Sequence, residues 1–277
     1  MENEMEMESE TDNDSVYRRA GAYMIHLDIN CDMAEGFGRG RQSEDLGIMK
    51  WITSVNVACG LHAGDPHIIC RTVEAALRHG VKIGAHPGYP DVQGFGRRSM
   101  NLSAREVYEL VLYQVAALSG VTKALGGSLH HVKLHGALYN EAAEQPELAE
   151  AVVQAIGDID GDLILYALSG SKLVEIGLEY GLQVAEEVFA DRAYLPNGRL
   201  APRELEGSVL ISKEEQMQQT RQLVLEQTVQ TVDGSVIALA ADTLCVHAES
   251  PDLLPFLTEL HRWAKQHDVK IEPFSAK

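Results

Sequence analysis

Residues 54–70, SVNVACGLHAGDPHIIC, run an apolar segment into a small turn and then into the pattern that starts a helix. Asp65 followed by Pro66 marks that start. An aspartate side chain can accept from the N–H groups of a first turn, and a proline at the first helical position lacks only an N–H that would have no intrahelical partner. The stretch is therefore one β/α unit, with Asn56, Cys59 and His62 at or just beyond the strand's carboxyl end.

The same order recurs along the chain. Strand-like runs fall at 23–30, 52–58, 81–85, 129–134, 162–167, 182–189 and 243–247, with helical patterns between them. Gly80 closes the helix that Asp65 opens, and SARE at 103–106 is a capping box. Strands alternating with helices build a parallel sheet. Seven or so units in about 250 residues, without a linker or composition break, predict a single α/β domain over 23–277 folded as a closed or nearly closed TIM-like (β/α) barrel. A doubly wound open sheet is the alternative. Residues 1–22, beginning MENEMEMESETDND, offer almost nothing to bury and predict a disordered acidic tail.

Bulk composition narrows the function classes. The 277 residues are 45% hydrophobic, enough for a packed core, and carry a net charge of −18. That charge repels phosphate backbones and anionic lipid, so neither nucleic acid nor membrane is an expected partner. No apolar run approaches the roughly 18–20 residues of a membrane helix, and the N-terminus lacks a leader pattern, so a cytoplasmic chain is expected. Cys31, Cys59, Cys70 and Cys245 form no C-x-x-C pair. They read as reduced, buried small hydrophobes, with Cys59, in the opening turn, as the exception.

In either fold the ligand site lies beyond the carboxyl ends of the strands. In LDINCD, 27–32, the period of two sets Asp28, Asn30 and Asp32 on one face. Burying them is costly unless they hydrogen-bond, bind a cation or transfer protons; a structural network across the barrel floor is the plain alternative. His86 ends the next strand but one, and the loop after it carries Arg97 and Arg98, either an anion fork or solvated surface charge. In HHVKLHGALYN, 130–140, His131, Lys133 and His135 share a face. A lysine buried among imidazoles should have a lowered pKa, unless it pairs with Asp28 or Asp32. Glu187, Asp191, Arg192 and His247 follow at or beyond later strand ends. That His62, His86, His135 and His247 recur at one level is the strongest residue-level sign of an active site. No phosphate loop, H-E-x-x-H, G-x-S-x-G or dinucleotide fingerprint is present, so any nucleotide is held in another way or by another subunit.

Six segments, DINCDMAEGFG, SVNVACGLHAGDP, GAHPGYPDVQGFGRR, VKLHGALYN, EVFADRAY and ADTLCVHAES, resemble in this order the LamB/YcsF family. The resemblance implies an irregular (β/α)7 barrel related to the glycoside hydrolase/deacetylase fold. It also implies a 5-oxoprolinase activity: ATP-dependent opening of 5-oxo-L-proline to L-glutamate, or of a related lactam such as 2-pyrrolidinone. The chain would act as one subunit of a complex with two others, of B and C type; whether it also forms a homo-oligomer is left open by the sequence. ATP, with its Mg, would be a co-substrate held with or by those partners. Departures from the family pattern are Ala34 for glycine, Leu134 for proline, HAES for HGD, and Ala201-Pro202 where arginine is frequent.

On this reading Asp32 or His62 is the general base, and Lys133 and His135 stabilise charge. Asn30, Asn56, His86, Arg97, Glu187, Asp191, Arg192 and His247 are substrate contacts, with Arg97 or Arg192 as the carboxylate clamp. By analogy with the deacetylases, Asp32, His62 and His86 could hold a divalent metal. The alternatives are a stand-alone metal-dependent amide or N-acyl-sugar hydrolase and a non-catalytic lactam-binding subunit.

Overall fold

A computed structural model describes residues 24–36, 46–248 and 252–275; the expected acidic tail, 1–22, lies outside them. Among the described residues ten strands follow in chain order: β1 Ile25–Met33, β2 Ser54–Ala58, β3 Lys82–His86, β4 His131–Lys133, β5 Ile164–Leu168, β6 Val184–Phe189, β7 Thr228–Gln230, β8 Val236–Ala238, β9 Thr243–His247 and β10 Val269–Ile271. Strands β1 to β6 pair in sequence, all parallel, and β9 pairs with both β6 and β1. The β1–β9 register, from Asp28 opposite Thr243 to Asp32 opposite His247, closes a seven-stranded barrel and removes the open-sheet alternative. Strand β10 extends the sheet at the amino end of β1, and β7 and β8 form a separate antiparallel hairpin.

The helices are α1 Pro66–His79, α2 Ala104–Ala124, α3 Gly136–Ala142, α4 Pro146–Ile159, α5 Lys172–Tyr180, α6 Lys213–Arg221 and α7 Leu253–Gln266. Helix α1 begins as expected: Asp65 accepts from the N–H groups of His67 and Ile68 at 2.9 and 3.0 Å, and Gly80 caps its other end with φ 71°. Ser103 and Glu106 complete the capping box of α2. Among the described residues no helix is long and apolar enough to cross a membrane.

Strand boundaries differ from expectation in ways that matter for the site. β1 runs to Met33, so Asp32 lies inside the ladder rather than beyond it, while β3 ends on His86 as expected. β10 and the hairpin were not expected. Three-residue strands carry no readable alternation.

Along β1 the outward side chains Leu27, Ile29 and Cys31 join the aliphatic layer under the helices. The inward side chains are polar, unlike the branched aliphatics that usually fill such a barrel. Asp28 is held at the base by hydroxyls: Thr53 donates at 2.5 Å, Ser54 at 2.6 Å and Thr243 at 2.5 Å. Burial pushes the Asp28 carboxyl above its ordinary value and these hydroxyls partly offset that. For Asp28 the floor-network reading is the one observed. Gly84 on β3 is required by the same interior, because a Cβ there would overlap the His131 ring.

Candidate active site

Above Asp28 the inward side chains of five strands form one buried network. Asn56 donates to Asn30 Oδ1 and to Asp32 Oδ1, each at 2.7 Å, and the His131 Nε2–H donates to Asn56 Oδ1 at 2.7 Å. Asn30 in turn donates to Glu187 Oε1 at 3.0 Å and Thr243 Oγ1 at 2.8 Å, while the Tyr139 hydroxyl donates to Glu187 Oε2 at 2.7 Å. Lys133 stands at the centre. Its Nζ lies 2.8 Å from Glu187 Oε1, 3.0 Å from Asp32 Oδ1 and 3.1 Å from Cys245 Sγ.

Of the two expectations for Lys133, a lowered pKa or an ion pair with Asp28 or Asp32, the pair with Asp32 is the one observed. Burial by itself lowers an ammonium pKa, but the carboxylates of Asp32 and Glu187 outweigh it and hold Lys133 well above its ordinary value. Asp32 shows the converse: burial would raise it, and His86 and Lys133 hold it well below the usual carboxylate range. The partners are Asp32 and Glu187, not Asp28.

A cavity of about 360 Å³ opens above this floor at the carboxyl ends of the strands. Asp32, Lys133, His86, His135 and His247 line it, together with Glu35, Tyr139, Phe189 and the arginines 97, 192 and 203. Arg192 is buried; its Nη2 donates to the Ala201 carbonyl at 2.6 Å, but its Nε has no partner. Burial, with Arg203 nearby, pulls its guanidinium down to about 10. Arg97 packs its guanidinium over the Phe95 ring, 4.9 Å from the centroid.

On another wall the His247 Nδ1–H meets Asp191 Oδ2 at 2.7 Å, and its Nε2 lies 4.0 Å from Asp32 Oδ2. Burial alone would lower His247, and Asp191 reverses that, raising it above its ordinary value. An aspartate fixing one ring nitrogen while the other faces the cavity is the arrangement of an acid–base pair.

The third feature is a cluster of imidazoles around Glu35. After β1 the chain turns at Ala34, whose φ of 62° lies in the left-handed region, at the position where the resemblance expects glycine. That turn sets Glu35 Oε1 at 3.2 Å from His135 Nδ1 and 3.8 Å from the Nε2 atoms of both His86 and His62. The rings of His62 and His135 stack at 3.8 Å, 5° from parallel. Gly88 permits the close approach of backbone, since a Cβ there would stand 2.9 Å from His62 Nδ1. Burial lowers His62 to about 4.

Residues 27–277 match the model of the LamB/YcsF family. The chain belongs to that family. Among LamB/YcsF relatives, one from Tolumonas auensis, named as the A subunit of 5-oxoprolinase, is 49% identical over 249 residues, covering 90% of this chain and 99% of that one. Another of that name, from Bordetella pertussis, is 48% identical over 246 residues, 89% of this chain and 98% of its own. The crystal structure of a lactam utilization protein from Thermus thermophilus superposes with a TM-score of 0.82 at 42% identity, covering 90% of this chain and all of that one.

Within this LamB/YcsF chain, Asp32, His86, Arg97, Lys133, His135, Arg192 and His247 reach the cavity together. Asn30, Asn56 and Glu187 are fully buried in the network and do not line it. Asp191 acts on the cavity through His247. His62 lies behind the cavity lining, fully buried, so direct contact with substrate as a general base is not what its position offers. Cys59, expected to stand apart from the packing thiols, has its Sγ 3.4 Å from the Val57 carbonyl, and burial pushes its thiol up to about 12. Glu35, Tyr139 and Arg203 were not singled out by sequence. An acid in the glycine-rich turn directly after β1, DMAEGFG, was the available signal for the first.

Proposed function

We propose that this chain opens a five-membered lactam, 5-oxo-L-proline in the first place, to the amino acid, as one subunit of an ATP-hydrolysing complex with two partners. The observation that carries this reading is a single cavity joining a buried anion clamp, Arg192 with an unpartnered Nε, to a floor of ionised Asp32 and Lys133. The relatives named as A-type 5-oxoprolinase chains, matched at nearly full length, support the substrate class.

An unstrained lactam is a poor electrophile, and phosphorylation of its oxygen by ATP turns that oxygen into a leaving group. The absence of a phosphate loop supports assigning the phosphoryl step to the partner subunits. In this chain the substrate carboxylate sits against Arg192, with Arg97 and Arg203 beside it. His247, oriented by Asp191, takes a proton from the attacking water as its oxygen bonds to the ring carbonyl carbon. Lys133 offsets the negative charge carried by the phosphorylated oxygen beside the reacting carbon. The ring C–N bond then breaks as the nitrogen takes up a proton to become the amine, which leaves the side-chain acyl phosphate of glutamate, and a second water displaces the phosphate to give glutamate and inorganic phosphate.

The test is reconstitution with B- and C-type subunits, measuring ADP and glutamate from 5-oxoproline with 2-pyrrolidinone as competitor. Equal amounts of ADP and glutamate, formed only when all three chains are present, are expected. Lactam-dependent ATP hydrolysis by this chain alone would overturn the division of labour. Ring opening without ATP, abolished by a chelator, would favour a stand-alone amide hydrolase instead.

A further inference from the structure

We propose that Glu35, His62, His86 and His135 form a binding site for one divalent transition-metal ion at the wall of the cavity. The four side chains each offer a donor atom, and these atoms all lie within 4.8 Å of one another. The inference stands on the donor geometry and does not depend on the lactam reading.

The hydrogen bonds on the far side of two rings decide which nitrogens face inward. His86 Nδ1 lies 2.8 Å from the Lys133 carbonyl, and His135 Nε2 lies 2.8 Å from the Phe95 carbonyl. A carbonyl can only accept, so each ring spends its N–H there. The remaining nitrogens, His86 Nε2 and His135 Nδ1, then present lone pairs to each other at 3.0 Å, with Glu35 Oε1 at 3.8 Å from the first and 3.2 Å from the second. With both rings neutral, three electron-rich atoms converge here without a donor between them, an arrangement that a metal ion or a shared proton would satisfy. Outward hydrogen bonds to backbone carbonyls are also the usual way that metal-binding imidazoles are oriented. A tetrahedral ion with bonds of about 2.0–2.1 Å needs donors roughly 3.3–3.4 Å apart, close to these spacings.

His62 supplies the second, independent observation. It is fully buried, and neither of its ring nitrogens has a hydrogen-bond partner; Glu35 Oε1 is likewise without one. Burying such groups unpaired is costly. The ring is stacked on His135, so its lone pair enters the cluster by a turn about its Cβ–Cγ bond. With both nitrogens bare, that turn breaks no hydrogen bond.

A competing set, Asp32, Cys245 and His247, also brings donor atoms together. There the Lys133 ammonium already lies 3.0 Å from Asp32 Oδ1 and 3.1 Å from Cys245 Sγ, supplying the positive charge. Asp32 Oδ2, 3.3 Å from His86 Nε2, borders the proposed site rather than anchoring it. The ligand set therefore differs from the one expected from sequence, gaining Glu35 and His135. Imidazole and carboxylate together suit zinc, iron, cobalt or manganese. Such an ion would supply Lewis acidity beside the cavity floor.

The experiment is metal analysis and cobalt titration of the full chain, freed of any affinity tag, alone and without substrate. One Co²⁺ per chain is expected, with the visible spectrum of nitrogen and oxygen ligation and a rise in Tm. Glu35→Gln and His135→Gln should each weaken binding at least ~10-fold, while His67→Gln, an exposed histidine outside the cluster, should leave it unchanged. Failure of the wild-type chain to take up stoichiometric metal would overturn the proposal, leaving a shared proton between His86 and His135. So would a thiolate charge-transfer band, which places the ion at Cys245 and is read on the wild-type chain even if the variants do not fold.

Discussion

Lys133 Nζ and Asp32 Oδ1 lie 3.0 Å apart inside the barrel, with the two side chains 2% and 8% exposed. Removing one member of such a buried pair strands the other charge, at a cost of about 3–5 kcal/mol. Lys133→Met should lower stability by that order in urea unfolding and abolish turnover. Pairing it with Glu187→Gln should recover part of the stability, because one stranded carboxylate is gone, and none of the turnover.

Arg192 offers the test of substrate identity. Losing a charge-assisted hydrogen bond of about 1.5–3 kcal/mol corresponds to roughly 10–100-fold in affinity. Arg192→Gln should therefore raise KM for 5-oxoproline by that factor in the reconstituted complex. 2-Pyrrolidinone has no carboxylate, so its KM should move less than about twofold. Equal losses for both lactams would remove Arg192 from the clamp.

The Asp191–His247 pair sets a pH dependence with a definite sign. His247 has its pKa raised in the folded chain, so its contribution to stability is fully present below the unfolded histidine value of about 6.5 and is lost as pH rises through the folded value. Asp191 has its pKa lowered, so its contribution is present above about 3.9 and lost as pH falls through the folded value. Asp191→Asn should thus cost about 1.5–3 kcal/mol near pH 5 to 6 and progressively less in more alkaline solution. Unfolding curves across this range check it; a gap that widens with rising pH would contradict the assignment.

Gly84 tests whether the polar interior is packed or merely crowded with charge. Because a Cβ at this position would overlap the His131 ring, Gly84→Ala should cost at least about 1–3 kcal/mol as an overpacking substitution. The ring stacks on Tyr166 at 4.0 Å, so the loss should also appear as a changed tyrosine signal in near-ultraviolet circular dichroism.

The barrel was legible because its signals are local: period-two alternation in β1, Asp65-Pro66 before α1 and the capping box before α2 all act within a few residues. The shared level of the histidines was legible for the same reason, since each follows a readable strand. What was not legible depends on contacts across the barrel. Nothing near Lys133 in sequence announces Glu187, so the choice between a lowered pKa and an ion pair with Asp28 or Asp32 stayed open, and the second carboxylate that raises the lysine's basicity was not anticipated. Asn30, Asn56 and Glu187 sit at strand positions that point toward the axis, but the axis is filled, and their depth within it decides that they brace the floor rather than meet a ligand. Glu35 lies past the last alternating residue, where periodicity stops giving directions.

The closure of the barrel also sets an order in time. Asp28 and Thr243, which meet across the β1–β9 seam, are 215 residues apart in the chain, and at ordinary translation rates the second leaves the ribosome about 10–40 s after the first. Through that interval the first strand has one flank without a neighbour, and Asp32 waits for His247. No amino-terminal fragment ending before β9 can hold the assembled site, so a chain cut short there keeps most of its residues and none of its chemistry.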